Sequence, residues 1–418
     1  MNHNLIKPVL ASLAAVSCAF LAVSEAQATP AFARQMSMNC MSCHTQTVPL
    51  LNSYGRQFKL SGFSMANGKE EIKGGDLGLS LPMAINAGVG FKSNYLKSNG
   101  ARDDFSSPAG ASIMVGGKIA ENAGVNTMWN SDGLIHMQGT FTQPVGEGRA
   151  GFSIYGTQGH GPFIATESYN SGLHKEISMF DNPDRTNAAQ ATGLGKGPAS
   201  GLAFFYGGHG LTISGAVWAK GFNSTFNNKG LDADGIDSTL YRVSYDLPEL
   251  AAWNISVGAF GLSGSTTGTP SKLYENTGVP FLTAPWANSL TTFDTKARGI
   301  DMQVIGAIAG MSSQVVVTQV ADWKLRVNDV ATGALRSNQE SKASSIEAQI
   351  MPLAKLGIRA GRMVFGDMLN SNNDYGTVSL GVVYNYADNV RFSLERTEID
   401  NSVVADVKET MVQALILF

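Results

Sequence analysis

Thr377-Val378-Ser379-Leu380-Gly381-Val382-Val383-Tyr384-Asn385-Tyr386 is the stretch on which the fold reading turns. Val378, Leu380, Val382, Tyr384 and Tyr386 recur at every second position, so in an extended chain they line one face. The same period returns elsewhere. Ile300, Met302 and Val304 oppose Asp301 and Gln303, and Ile346, Ala348 and Ile350 oppose Glu347 and Gln349. Val390, Phe392 and Leu394 oppose Arg391, Ser393 and Glu395, and the last ten residues set Val412, Ala414, Ile416 and Phe418 on one side.

A soluble β-sandwich would alternate in the same way, so the connections have to decide. Read backwards from Phe418, short turns fall at Ala387–Asn389, Pro352–Lys355, Ile308–Gly310, Leu247–Ala251, Gly207–His209, Pro144–Gly148 and Glu121–Ala123. Between them stand longer links such as Gly159–Ala199 and Leu262–Lys296, with one tight hairpin at Asp132-Gly133. Short turns at one end and longer loops at the other are the rhythm of a transmembrane barrel. The rhythm predicts an all-β fold, a sixteen-stranded antiparallel transmembrane β-barrel over residues 76–418, with both its ends on the periplasmic side. A barrel of this size leaves an aqueous lumen, lined by Arg242, Asp301, Glu347, Arg359, Arg391 and Glu395.

Composition agrees. Charged residues are 15% of the 418, the net charge is −3, and there are 47 glycines. So even a balance gives nucleic acid nothing to bind. Residues 1–28 form a secretory signal: Lys7, then the apolar Pro8–Val23, then the cleavage signal Ala26-Gln27-Ala28. Export and a barrel together place the chain in the outer membrane of a Gram-negative bacterium, with bilayer lipid as a partner. Loss of the signal removes Cys18 and leaves Cys40 and Cys43.

Residues 29–75 read as a separate unit built on Cys40-Met41-Ser42-Cys43-His44. C-x-x-C-H is the attachment signature of a c-type haem. Cys40 and Cys43 would form thioethers to one haem c, and His44 would be the proximal iron ligand. A thiol–disulfide redox pair would need a βαβ setting, and zinc a second pair of ligands; neither is present. Leu50, Leu51, Tyr54 and Phe58 recur at helical spacing, with Pro49 suited to the first turn and Gly62 to the residue past the end. Arg56 and Lys59 fall off that apolar face and are candidates for the haem propionates. For the sixth iron position the nearby candidates are Met36, Met38, Met41 and Met65, with Met65 best placed downstream. No catalytic side-chain set is expected.

Ala31-Phe32-Ala33-Arg34-Gln35 precedes this motif, and Pro49, Leu51 and Gly55-Arg56-Gln57-Phe58-Lys59-Leu60-Ser61-Gly62-Phe63 follow it. Together they resemble the fused monohaem cytochrome–porin family, the outer-membrane iron oxidases of iron-oxidising bacteria. The resemblance implies a sixteen-stranded barrel with the haem domain seated in its lumen. It also implies electrons taken from an extracellular donor, Fe(II), and passed to periplasmic carriers such as soluble cytochromes. Cys40, Cys43 and His44 carry over as haem residues. The alternative from the residues is a porin-type transport channel gated or plugged by a structural haem domain.

Overall fold

The computed structural model describes residues 31–38, 42–45, 50–65, 83–96, 109–130, 135–165, 187–192, 194, 198–219, 236–248, 253–268, 290–369, 374–387, 390–401 and 407–417. The signal segment 1–28, Cys40, Met41, Pro49, the Asp132-Gly133 hairpin, the boundary at 75/76 and Phe418 lie outside them.

Sixteen strands form one closed antiparallel barrel. They are β1 Met83–Leu96, β2 Ala109–Ala120, β3 Ala123–Asn130, β4 Ile135–Val145, β5 Gly148–Thr157, β6 Ala199–Gly208, β7 Leu211–Ala219 and β8 Ser238–Asp246. The second half is β9 Asn254–Gly268, β10 Thr291–Ile308, β11 Met311–Asp329, β12 Leu335–Leu353, β13 Leu356–Asp367, β14 Tyr375–Ala387, β15 Val390–Asn401 and β16 Val407–Leu417. Each strand pairs with its neighbour in sequence, and β1 closes on β16 in register from Asn86↔Leu417 to Leu96↔Val407. Closure leaves no sheet edge, which rules out a sandwich.

The loop rhythm is as expected. Connections at one end are two residues long, except for the seven of 247–253; at the other they run from four (131–134) to forty-one (158–198). Two of the two-residue turns have the backbone that favours a twisted hairpin. His209 and Gly210 take φ of 51° and 78°, and Ala309 and Gly310 take 50° and 79°, so both central residues are left-handed.

The outward set is apolar around the whole circumference, with Ile154, Phe204, Ile300, Ile346, Leu380 and Leu394 all exposed. Val378, Val382, Tyr384 and Tyr386 stand beside Leu380 on the same surface. Such a belt is stable only against hydrocarbon, and the barrel spans a membrane.

The inward set is polar and paired. Arg242 of β8 reaches Asp301 of β10 through two bonds of 2.7 and 2.9 Å, both side chains buried. The pair crosses over β9, where a Cβ on Gly258 would collide with the Arg242 guanidinium. Arg359 of β13 and Glu395 of β15 lie 2.9 Å apart across Gly381, which is in register with both. In each case the glycine lets two long side chains meet across the strand between them.

One expectation is corrected. The described parts of the 158–198 connection, read as an outer link beside an aqueous lumen, turn inward. A 3-10 turn at Pro162–Ala165 is buried throughout. A short helix at 188–191 (α3) is buried at Ala188 and Ala189, and its first amide, Ala188 N, donates to Ser345 Oγ at 3.0 Å. Phe163 packs edge-on to Phe260 at 5.8 Å. Around them gather Leu51, Trp218, Leu240, Leu262 and Val320. This level of the bore is a packed apolar layer. The cause is composition: Pro162-Phe163-Ile164-Ala165 is too apolar to stay in water.

Candidate functional site: the N-terminal segment in the bore

Two helices lie ahead of the barrel strands, α1 Ala31–Met36 and α2 Ser53–Leu60. Both sit against inward-facing wall. Phe32 abuts Gly116 of β2, Gly62 abuts Thr140 and Thr142 of β4, and Leu60 abuts Gly207 of β6.

Asn52 starts α2. Its backbone is extended (φ −81°, ψ −179°) and its side chain accepts from Gly55 N at 2.9 Å, the cap that satisfies a first-turn amide. The helix therefore begins four residues later than Pro49 suggests. Leu50 and Leu51 are not on the helix face with Tyr54 and Phe58. They are held extended opposite the haem-signature residues, by Thr45 N to Leu50 O and Asn52 N to Cys43 O, both 2.9 Å, and by the His44↔Leu51 bridge. At the far end Gly62 (φ 67°) and Phe63 (φ 59°) turn the chain back, with Phe63 N bonded to Phe58 O at 3.2 Å. Gly62 thus stands where the sequence put it.

The same Asn52 orients the motif. Its amide donates to Ser42 O at 3.0 Å and to His44 O at 3.5 Å. A Cβ on Gly55 would overlap the Cys43 carbonyl oxygen, so glycine is what lets the motif lie on the first turn of α2. Cys43 and the adjacent His44 are both half-buried. A thiol and an imidazole on adjacent residues, braced by one helix cap, fit the donor set that a tethered porphyrin requires. Cys43 and His44, with Cys40, are the residues that would hold it.

Arg56 and Lys59 are engaged with the barrel. Arg56 Nε donates to Asp246 at 2.9 Å and Nη2 approaches the other carboxylate oxygen at 2.7 Å. Further bonds run from Arg56 to Gln303 on β10 (3.3 Å), Leu51 O (3.3 Å) and Ser53 Oγ (3.0 Å). Lys59 Nζ donates to Ile164 O at 2.9 Å, tying α2 to the inserted layer. The two cations read from the sequence as propionate partners are, in the structure, what fastens the segment to the wall.

Phe32, Phe58 and Phe63 form a cluster with ring centroids 5.1, 5.1 and 6.0 Å apart. Met36, Met38, Tyr54 and Met65 pack around it. Three of the four methionines named for the sixth iron position therefore share one apolar cluster, Met65 among them, and Met41 lies outside the described residues. Gln35 donates to Phe63 O (2.7 Å) and Met65 O (2.6 Å) and accepts from Lys118 N on β2 (3.0 Å). Gln35, Asn52, Asp246 and Gln303 were not read as functional. Asn52, as a cap residue ahead of Gly55, carried a signal; Asp246, 190 residues from Arg56, carried none. Among the described residues no group of three or more metal-ligating side chains occurs.

No protein-family model matches the chain, and no curated protein matches it. Solved structures do. OmpT, an outer membrane protein of Vibrio cholerae, is 11% identical with a TM-score of 0.45, over 80% of this chain and 97% of its own. Salmonella typhi OmpF, in complex with daunomycin, is 9% identical with a TM-score of 0.46, over 81% and 98%. An anion-selective porin from Comamonas acidovorans is 9% identical with a TM-score of 0.46, over 81% and 99%.

Proposed function

We propose that the chain is an outer-membrane barrel of porin type closed by its own N-terminal segment, and that this plug carries one haem c on Cys40 and Cys43 with His44 at the iron. The observation that carries the reading is the seating of the Cys43–His44 turn in the bore, on a helix latched to the wall by Arg56 and Asp246. The resemblance of Ala31–Phe63 to the fused monohaem cytochrome–porin family supports it.

Two functions follow from a plugged barrel. The barrel architecture favours transport, with ions or solutes passing when the plug shifts. The motif favours electron transfer from an extracellular donor, Fe(II), to periplasmic carriers such as soluble cytochromes. When bound, haem c supplies a one-electron change at iron and nothing more. The chain supplies the rest. Asn52 and Gly55 fix the motif turn, Arg56 and Lys59 hold it in place, and the Phe163–Phe260 layer excludes water. A bore packed in this way suits electrons better than ions, since a charge crossing an apolar layer without a partner meets a barrier of several kcal/mol.

One pair of measurements separates the readings: planar-bilayer conductance of the purified haem protein, and stopped-flow mixing with Fe(II) at neutral pH. A silent barrel whose haem is reduced by Fe(II) supports electron transfer. Currents that follow the haem oxidation state support a gated channel. A haem that stays oxidised in excess Fe(II) overturns iron as donor.

A further inference from the structure

The row of inward side chains on β4 is His136, Gln138, Thr140 and Thr142, all buried. Thr140 and Thr142 receive Gly62 of the N-terminal segment. His136 lies four residues nearer the long-connection end, about 13 Å along the strand. A second histidine meets it there. His160 follows the end of β5, and its ring stands at 90° to that of His136 with centroids 5.6 Å apart.

Two separate locks hold His160 in that position. The amides of Gly159 and His160 both donate to Thr157 Oγ1, at 3.3 and 3.1 Å. Gln158 pairs with Ile135, the residue before His136, through its backbone (2.9 Å) and through its side-chain oxygen (3.1 Å). Thr157 is itself directly opposite His136 in the β4–β5 ladder. The start of the loop is therefore tied to β4 beside His136, and His160 is held back against the end of β5.

Nitrogen ligands sit about 2.1 Å from a divalent transition ion, and an imidazole centroid lies about 1.1 Å behind its nitrogen by the same ring geometry. Two imidazoles on one tetrahedral ion then have centroids roughly 5.2 Å apart. The observed separation is within half an ångström of that. Nearby, Met128 is opposite His136 on β3 and buried. Two residues along the same face, the side-chain oxygen of Asn130 is buried with no hydrogen-bond partner among the described residues.

We propose that His136 and His160 bind one first-row divalent transition-metal ion inside the bore, on the long-connection side of the N-terminal segment, with water completing its coordination. Neutral imidazole is the ligand such ions take most readily. The site needs neither the haem nor the electron-transfer reading, and its failure would leave both standing.

The competing explanation is ring packing alone, since edge-on aromatic pairs commonly stand at this distance. His160→Phe separates the two, because phenyl keeps the packing and removes the ligand. Untagged full-length protein folded in detergent is titrated calorimetrically with Zn2+. One equivalent is expected to bind to the wild type, with affinity lowered at least tenfold in His136→Gln and in His160→Phe. No binding by the wild type at 100-fold excess Zn2+, or unchanged affinity in a His160→Phe barrel that still shows heat-modifiable gel migration, overturns the site. Wild-type protein alone gives a second readout. Zn2+ is expected to shield His160 from diethyl pyrocarbonate while the exposed His209 still reacts, and equal modification of the two with and without Zn2+ overturns the assignment.

Discussion

The barrel wall and the N-terminal segment solve the same problem, ordering a chain without a large soluble core, in opposite ways. Every strand pairing but one joins sequence neighbours, so loop closure costs little at each step. The segment is held by contacts between residues far apart: Arg56 to Asp246 across 190 positions, Arg56 to Gln303 across 247, Lys59 to Ile164 across 105 and Lys118 to Gln35 across 83. Its own core is little more than Phe32, Phe58, Phe63 and Met36, too small to fold alone. The wall therefore stands without the segment, and the segment does not stand without the wall.

The strongest test replaces Cys40 and Cys43 together with serine. Covalent haem is expected to vanish from haem-stained gels and from the intact mass, while heat-modifiable migration of the barrel persists. Loss of the folded barrel as well would show that wall and segment are not independent. Next in size, Leu380→Arg places a charge on the outward belt. It is expected to destabilise the barrel by about 2–4 kcal/mol at mid-bilayer, measured by reversible unfolding in lipid vesicles, with haem attachment unchanged.

How much of this was legible in the sequence follows the same division. Val378, Leu380 and Val382 point outward because a period of two fixes the face of a strand whatever its partner is. Arg242, Asp301, Arg359 and Glu395 line the bore for the same reason. Periodicity does not say which inward groups meet. The pairing across Gly258 and Gly381 depends on register two strands away. Within the segment, Gly62 was legible because a residue past a helix end needs positive φ. The helix start was misplaced because Leu50 and Leu51 fit an α-helical spacing, yet backbone bonds to the Cys43–Thr45 turn, a tertiary contact, claim them first. The sequence sets Arg56 and Lys59 off the apolar helix face, but nothing local to them announces the partners they meet, Asp246 and the Ile164 carbonyl, which lie more than a hundred residues away. The inward turn at Pro162–Ala165 announced itself only through Phe163 and Ile164, which a length-based reading passes over.

The latch gives a middle-sized effect. Arg56→Leu leaves Asp246 partly exposed, at 29% of its side chain, and still bonded to Ser256 at 2.5 Å. The loss is therefore about 2 kcal/mol, below that for a fully buried pair. Amide exchange across 54–63 is expected to quicken roughly thirtyfold, with β8–β10 amides unaffected. Equal acceleration in β8–β10 would mean that the segment supports the wall.

The smallest effect concerns the wall where it leaves the membrane. β11 and β12 have 19 residues each, about twice what a crossing strand needs, so their shared hairpin stands clear of the bilayer. There Arg336 bonds to Asp329 at 2.6 Å, and Thr332 bonds to it through its amide and its hydroxyl, both at 2.9 Å. The Arg336 hydrogen bond first, and those from Thr332 after it, lower the Asp329 carboxyl from 3.8 to about 2. A depressed carboxylate stabilises the hairpin at pH values above 3.8, and that contribution is lost as pH falls toward 2. The Thr332 amide resonance is expected to keep its native position at pH 4 and to move only near pH 2. In Arg336→Ala the same change should come at higher pH, toward 3.8, with the rest of the barrel silent. A shift that spreads along β11 would mean that the hairpin and the membrane wall form one cooperative unit, and the locality argued here for the wall would then fail at its outermost turn.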